Sequence, residues 1–400
     1  MKRKMAETSE LMLIGNGIQM SRRQYLAGFK EDKVAARPTI PQLAVKAAHT
    51  IDGTIDDVFK KYPELEPCLY NEVKVCTKCG KPCAYTMTVC NSCGADLPTD
   101  LSKSENVFSA FLFGVKLASR GFPYTISLRG ETEDVLVFDD MLQLCSCHLN
   151  AIPKTHYIPD WRYLLMAPAE ANKILDSIET AALEATKVFL GDAAYREVMY
   201  KTGVTDEYII NNIVKCFNFP PSQFQLHMQW LVPPLTPFHM LMALEHNHFH
   251  KGRGFPVSYV RKVLAVGAYP EPINKETSIE SIMEYYKGKG VDYEKEWTEW
   301  YDSICISGSE QTQNWKTDDF EYVVEGGKAF RFTVEDGKVA LGEQVDGIDP
   351  TKLQVSDKAI LQNYGRPYTE AGKPTGTYIQ KPLEPKFGSG GFGQWPPASL

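Results

Sequence analysis

The stretch Ser222-Gln223-Phe224-Gln225-Leu226-His227-Met228-Gln229-Trp230-Leu231-Val232-Pro233 decides how the rest of this chain is read. Polar residues at 223, 225, 227 and 229 alternate with Phe224, Leu226, Met228 and Trp230, and a period of two marks a half-buried β-strand. One face of such a strand packs a core. The other carries two carboxamides on either side of an imidazole, at Gln225, His227 and Gln229. All three can contact phosphate oxygens, and His227 alone among them is a nucleophile near neutral pH.

Working outward, a second patterned segment lies upstream, Phe138-Asp139-Asp140 followed by His148-Leu149-Asn150-Ala151-Ile152-Pro153-Lys154-Thr155-His156. It reads as a strand ending in carboxylates beside a strand that stops at Pro153, because proline cannot donate to a ladder. Together the two segments resemble the histidine-triad superfamily, which carries Phe-x-Asp, then His-x-x-x-Ile-Pro-Lys-x-His, then His-φ-His-φ-His-φ-φ. The closer resemblance is to the nucleotidyltransferase branch, whose version is Ser-Gln-x-His-x-His-x-Gln followed by apolar residues and Pro. Ser222, Gln223, His227, Gln229 and Pro233 match; the first His of the branch is Gln225 here. The resemblance spans roughly residues 124 to 235.

That resemblance implies a fold, a chemistry and a set of roles. The fold is α+β, a histidine-triad-like antiparallel sheet with flanking helices. His227 would be the nucleophile of a covalent nucleotidyl-histidine, Gln229 the third triad position and Gln225 the substituted first one. Ser222 and Gln223 would meet the phosphate chain, Asp140 the ribose hydroxyls, and Lys154 with His156 a phosphate. Asp140 also reads as a turn residue, Lys154 as a plain strand end, and His148 as a satisfied core histidine. The implied activity is a nucleotidyltransferase or phosphorylase acting at an α-phosphate, because Gln at the third position goes with transfer to phosphate or a sugar phosphate. Two readings stand beside it: a catalytically reduced domain serving as a nucleotide- or RNA-binding module or assembly subunit, and a nucleotide hydrolase. The expected partner is a nucleotide or dinucleoside polyphosphate, and a homodimer through the sheet edge is the family's habit.

Composition is compatible with these readings. With 400 residues, 43% of them apolar, the chain can bury a sizeable core and hold two or three domains. A formal net charge of -7 argues against a general nucleic-acid or anionic-membrane binder, so phosphate recognition should be local. No apolar run approaches the ~20 residues of a membrane helix. The start Met1-Lys2-Arg3-Lys4 meets Glu7 and Glu10 rather than an apolar signal core, so no secretion and no membrane partner are expected.

Six of the ten cysteines, Cys68, Cys76, Cys79, Cys83, Cys90 and Cys93, are crowded together in sequence. Two CxxCG knuckles, Cys76-Thr-Lys-Cys79-Gly80 and Cys90-Asn-Ser-Cys93-Gly94, are the strong form of metal-ligand spacing. They predict a structural zinc on Cys76, Cys79, Cys90 and Cys93, closed by four thiolates and so without an open position for chemistry. Cys83 is a spare that could replace one of them. Thiols used this way favour an intracellular, reducing compartment. Lys74, Lys78 and Lys81 make the ribbon a candidate docking surface for RNA or protein.

The remaining sequence is divided as an N-terminal helical arm (1–72), the zinc ribbon (73–98), the nucleotide-binding domain (103–265), a C-terminal α+β extension with β-hairpins (266–365) and a Gly/Pro-rich tail (366–400). Helical spacing is read at Met20–Phe29, Leu43–Phe59, from Ser102 onward, Pro168–Leu190, Tyr195–Tyr200, Glu207–Phe217 and Ser278–Tyr286. Short strands are read at Tyr124–Leu128, Val135–Phe138 and His148–Ile152, with a break at Arg129-Gly130-Glu131. A second histidine group, His239 and His246-Asn247-His248-Phe249-His250, competes with the first as a triad. It has Asn247 where an apolar residue should stand, and Lys251-Gly252 follow it. With Lys251, Arg253, Arg261 and Lys262 nearby, it reads as a phosphate-approaching loop or as a solvated turn.

Overall fold

The computed structural model describes most of residues 66–108, 128–154 and 157–314, with shorter segments at 11–13, 19–21, 54–61, 322–325, 328–335 and 338–344. In chain order the elements are β1 (Leu11–Leu13), β2 (Gln19–Ser21), α1 (Ile55–Lys61), α2 (Glu66–Leu69), β3 (Tyr70–Val75), β4 (Pro82–Cys83), β5 (Ser102–Glu105), β6 (Leu128–Glu131), β7 (Val135–Asp139) and β8 (Cys147–Pro153). A 3-10 turn at Trp161–Met166 leads into α3 (Pro168–Leu190), α4 (Ala193–Met199), α5 (Asp206–Asn211), β9 (Val214–Asn218), β10 (Met228–Val232), α6 (Pro237–Leu244), β11 (Gly254–Pro256), α7 (Val257–Val266), α8 (Ile279–Lys287), α9 (Tyr293–Trp300) and α10 (Gly308–Thr312). A meander of β12 (Tyr322–Glu325), β13 (Lys328–Glu335) and β14 (Lys338–Gln344) follows.

The protein is α+β, built on a six-stranded antiparallel sheet of order β11-β9-β10-β8-β7-β6. Every residue of β7, β8 and β10 is buried. Such strands lie inside the sheet and are covered on both faces. On one face lies α3. Pro168 sits at its N-terminus, where a missing N–H costs nothing, and Gly191 follows its end. Its buried stripe of Ala171, Ile174, Leu175, Ile178, Ala182, Ala185 and Phe189 recurs at helical spacing.

Two polar features lock that helix to the sheet. Trp230 Nε1 of β10 donates to Thr186 Oγ1 of α3 at 2.9 Å. Arg129 of β6 holds Asp139 of β7 through two bonds, Nε to Oδ1 at 2.7 Å and Nη2 to Oδ2 at 2.6 Å, while its guanidinium lies 4.9 Å from the centre of the Phe189 ring. Helices α7 to α9 share the core with the sheet. Phe255 of β11 stacks near Tyr293 of α9, whose hydroxyl donates to Gly254 O at 2.9 Å.

Several expectations change. Ser102–Glu105 is not a helix start but strand β5, paired with Tyr70–Val73 of β3. The helical segment begins only at Val107, after Asn106. Arg129-Gly130-Glu131 does not break the sheet; it runs within β6, which accommodates it by a register shift between Leu128 and Gly130. The helix read over Glu207–Phe217 ends at Asn211, and its last part is β9, whose Lys215 ammonium lies over the Trp230 ring, 5.5 Å from its centre. Met20 sits on β2 rather than in a helix. The hairpins near 322–344 are present as expected. The expectations for 22–29, 43–53, 109–127 and 366–400 lie outside the described residues.

The Arg129–Asp139 pair yields the first prediction. Both side chains are nearly inaccessible, at 11% and 1%, and removing one partner strands the other charge. Arg129→Met should cost about 3–5 kcal/mol in urea denaturation, whereas Arg129→Met combined with Asp139→Leu should recover most of that loss.

Candidate functional site

The face of the sheet opposite α3 carries a connected row of polar side chains. Antiparallel register puts Gln229 of β10 directly across from Asn150 of β8, and Asn150 across from Phe138 of β7. Gln229 Nε2 donates to Asn150 Oδ1 at 2.7 Å, and Asn150 Nδ2 donates to Asp140 Oδ2 at 2.8 Å. At the other end, His148 Nδ1 accepts from Leu144 N at 3.2 Å. That ring nitrogen is therefore bare, so Nε2 carries the proton and donates to Gln229 Oε1 at 2.7 Å. The polarity of the row is fixed from His148 to Asp140. A carboxamide nitrogen carries two hydrogens, and the row uses one from Gln229; the other can meet a phosphate oxygen.

His227 stands one residue before β10, and by period two it shares the face of Gln229. Its Nδ1 lies 2.7 Å from Gln225 O. A carbonyl only accepts, so Nδ1 is the protonated nitrogen and Nε2 keeps its lone pair. Burial holds the ring's pKa below the ordinary histidine value, against weaker opposing pulls from the Gln225 carbonyl and Asp140. His227 is thus mainly neutral near pH 7, and Nε2 is the unprotonated ring nitrogen. Phe108 packs its ring edge-on to His227 at 5.0 Å and to Phe138 at 5.6 Å, walling one side of the site.

The alternation that suggested one long strand over 223–232 is realised as strand only from Met228 onward. Residues 222–227 form an irregular turn. Gln225 N donates back to Gln223 O at 2.9 Å, and Leu226 N donates to Ile158 O at 2.6 Å, which bends the chain off the ladder. Gln225 is fully buried, and its Nε2 donates to Pro153 O at 3.1 Å, tying the turn to the end of β8. The Gln223 carboxamide oxygen accepts from Val107 N at 2.8 Å and Asn71 Nδ2 at 3.3 Å. Ser222 is half-buried in the same turn. Lys154 Nζ reaches Glu131 Oε1 at 2.8 Å and Thr132 O at 2.9 Å. His156 lies outside the described residues.

The structure therefore brings Asp140, Gln229 and His227 to one face, with Asp140 and Gln229 joined through Asn150, a residue that motif matching did not single out. Its signal was available, since Asn150 falls at period two between His148 and Ile152. Asn71, Asn106 and Phe108 also reach the site, and no local pattern announces them.

The second histidine group has a different geometry. His246 and Phe249 take left-handed backbone angles, φ 55° and 53°, so these two residues sit in turn conformations and not on a strand. His246 stacks on Tyr301, with ring centroids 5.3 Å apart, while His248 is buried with Nε2 2.9 Å from His239 Nδ1. Burial, with repulsion from His250 and His148, pushes the His248 pKa down to about 3. Three of the four nearby basic residues are paired: Lys251 with Glu294, Arg261 with Asp176 and Glu179, and Lys262 with Glu296. The group is thus partly buried rather than solvated: His239 and His248 lie inside, burial lowers the His250 and Arg253 pKa values, and the flanking cations pair near the surface.

In the cysteine-rich segment, Cys76, Cys83 and Cys90 are buried and packed together, with Cys83 Sγ 3.9 Å from Cys90 Sγ. Gly80, at φ 71°, donates its N–H to Cys76 O at 2.8 Å, the turn a CxxCG knuckle needs. Cys79 and Cys93 lie outside the described residues. Among the described residues no three His, Cys, Asp or Glu side chains are grouped as a metal would require. Among them, too, no helix is long and apolar enough to cross a membrane.

No family model matches the chain, and no curated protein matches it. Solved structures to which it is similar include Hnt3, at 21% identity and a TM-score of 0.21, covering 26% of this chain and 53% of that one. Hnt3 in complex with DNA and guanosine is similar at 16% identity and a TM-score of 0.25, covering 44% of this chain and 90% of the other. A Hit-like protein involved in cell-cycle regulation from Bartonella henselae is similar at 17% identity and a TM-score of 0.21, covering 40% and 92%.

The row's directionality gives a stability prediction. His148→Phe, with a slightly larger ring, removes the donor to Gln229 Oε1 and the acceptor that Leu144 N meets, and should cost about 1–3 kcal/mol. In a double-mutant cycle with Gln229→Leu the two losses should be clearly less than additive, as measured by urea titration.

Proposed function

We propose that the chain is a histidine-triad-type nucleotidyltransferase that attacks the α-phosphate of a nucleotide with His227 Nε2. The observation that carries this reading is the bond from His227 Nδ1 to Gln225 O, which leaves a neutral imidazole with its lone pair on the face that Gln229 and Asp140 share. Attack forms a phosphorus–nitrogen bond as the bond from phosphorus to the leaving oxygen breaks, and that oxygen departs with the electron pair. In a second step an acceptor oxygen displaces His227 and takes the nucleotidyl group.

Gln229 shapes the choice of substrate. Its remaining N–H can stabilise charge on a non-bridging oxygen, but a carboxamide has no proton to give to a departing group. Leaving groups that are already stable anions, such as a nucleotide, pyrophosphate or a sugar phosphate, suit this site. Amine or alkoxide leaving groups, which need a general acid, do not. Asp140, held by Asn150 and with its side chain 18% exposed, would accept a ribose hydroxyl.

The test is incubation of the chain and of His227→Ala with α-labelled ATP, UDP-glucose and diadenosine tetraphosphate, followed by detection of an acid-labile adduct. The expected result is an adduct absent from His227→Ala, with turnover that rises with added phosphate. Because burial holds the ring's pKa below the ordinary ~6.5, the rate of adduct formation should fall in acid solution with its half-maximal point below that of an ordinary histidine. A half-maximal rate at pH 6.5 would contradict the assigned environment. Nucleotide binding without any adduct would favour the binding-module reading, and turnover indifferent to phosphate would favour hydrolysis.

The same proposal assigns the cysteine knuckles a structural zinc. Cys76 and Cys90 with Cys79 and Cys93 would hold it, and Cys83 is a fifth thiol at the same place. The buried thiols and the Gly80 turn fit such an ion; bound there, it would tie the knuckles together and leave the phosphate chemistry to the sheet. Elemental analysis should find about one zinc per chain. Cys76→Ser and Cys90→Ser should each lose it, and chelation should expose the 70–105 segment to proteolysis; full zinc content in both variants would sink the assignment.

A further inference from the structure

Two asparagines far upstream of the catalytic turn are fully buried, Asn71 on β3 and Asn106 just after β5. Buried carboxamides require partners, and both find them on the same residue. Asn71 Oδ1 accepts from Phe224 N at 2.8 Å, and Asn106 Nδ2 donates to Phe224 O at 3.1 Å. The two side chains thus grip one residue by its N–H and by its carbonyl. Their other contacts extend the grip. Asn71 Nδ2 reaches Gln223 Oε1 at 3.3 Å and Glu105 O at 3.4 Å, and Asn106 Oδ1 accepts from Phe108 N at 3.2 Å, capping the segment whose ring packs on His227.

The residue after Phe224 is the one whose carbonyl fixes His227. Between 224 and 227 the main chain is held at Phe224 N and O, at Gln225 N by Gln223 O, and at Leu226 N by Ile158 O. Gln225 O is therefore aimed by its neighbours, and its aim decides which ring nitrogen of His227 carries the proton. A ring released from this acceptor would exchange between its two neutral tautomers and lose its fixed orientation.

We infer that Asn71 and Asn106, contributed by the strands that flank the cysteine knuckles, are positioning residues that set the Nδ1–H tautomer and orientation of His227. They act through the main chain of Phe224 and Gln225. The catalytic turn alone does not complete its own geometry; the ribbon-bearing segment does. The inference rests on the nucleotidyltransferase reading for its kinetic consequence but not for its structural one.

Two isosteric variants test it in the full-length chain. Asn106→Asp keeps the oxygen that caps Phe108 but points a carboxylate oxygen at Phe224 O. Asn71→Asp keeps the acceptor for Phe224 N but loses the donor to Gln223. Thr186→Val, on the opposite face of the sheet, is the control for general loss of stability. The primary readout is nitrogen-15 NMR of histidine-labelled protein, with His227→Ala identifying the signal. The unaltered chain and Thr186→Val should show one Nδ1–H tautomer for His227, and both asparagine variants should show a mixture.

The second readout is adduct formation. Asn106→Asp should lower its rate by ~10²-fold, the scale of a misplaced reacting group, while nucleotide affinity changes by less than about threefold. A single Nδ1–H tautomer in both variants would overturn the inference. So would an equal loss of tautomer purity in Thr186→Val. If the unaltered chain forms no adduct, the proposed activity fails, and the NMR comparison still decides the positioning role by itself.

Discussion

A row of polar side chains laid across a buried sheet must satisfy each donor and acceptor it carries, and the rest of this molecule is arranged around that requirement. Leu144 N, His148, Gln229, Asn150 and Asp140 form a chain of four hydrogen bonds spanning β8, β10 and the end of β7. Each group in it has only one way to face. Reversing the Gln229 carboxamide would set its N–H₂ against the His148 Nε2–H and its oxygen against Asn150 Oδ1, two repulsions in a low-dielectric interior. The row therefore behaves as a single rigid polar unit. Among its polar side chains Asp140 is the most exposed, at 18%.

The opposite face solves a different problem. There Trp230, the Arg129–Asp139 pair and the buried stripe of α3 make a face whose few polar atoms are paired locally. One face can then be optimised for packing while the other keeps polar groups aligned. Period two in β10 allots the residues accordingly: Met228, Trp230 and Val232 alternate with His227, Gln229 and Leu231. Gln225 belongs to neither face. It is buried in the turn and hydrogen-bonded to the end of β8, a supporting position in which an amide serves without ionising.

What could be read from the sequence follows from the range of the forces involved. The α3 helix was legible because its apolar stripe, its Pro168 and its Gly191 are local signals. Strands β7 and β8 were legible because they are short apolar runs closed by Asp139-Asp140 and by Pro153. Residues 214–217 were not. Their apolar content extends the helical pattern of α5, and only pairing with β10 and β11 makes them a strand. Ser102–Glu105 has a composition suited to a helix start, yet β3 supplies a ladder for it, so tertiary pairing overrides a weak propensity. Of the site, His227, Gln229 and Asp140 carried motif positions. Asn71 and Asn106 could not be found by any window, because they act on Phe224 from more than a hundred residues away.

That separation bears on how such a site is built. A turn rich in glutamine and serine has many alternative hydrogen bonds open to it in water, and an exposed turn of this composition would sample them. Here the alternatives are removed one by one, by carboxamides whose geometry is as directional as the backbone's own. Asn71, Asn106 and Gln223 together hold the Phe224 and Val107 main chain through directed hydrogen bonds, and the cost of burying the Asn71 and Asn106 amides is offset only if those bonds are complete. A partial set of bonds would be worse than an apolar clamp. Completeness is thus a condition of the fold as well as of the geometry at His227, so the segment bearing the cysteine knuckles and the sheet bearing the histidine cannot be perturbed independently of each other.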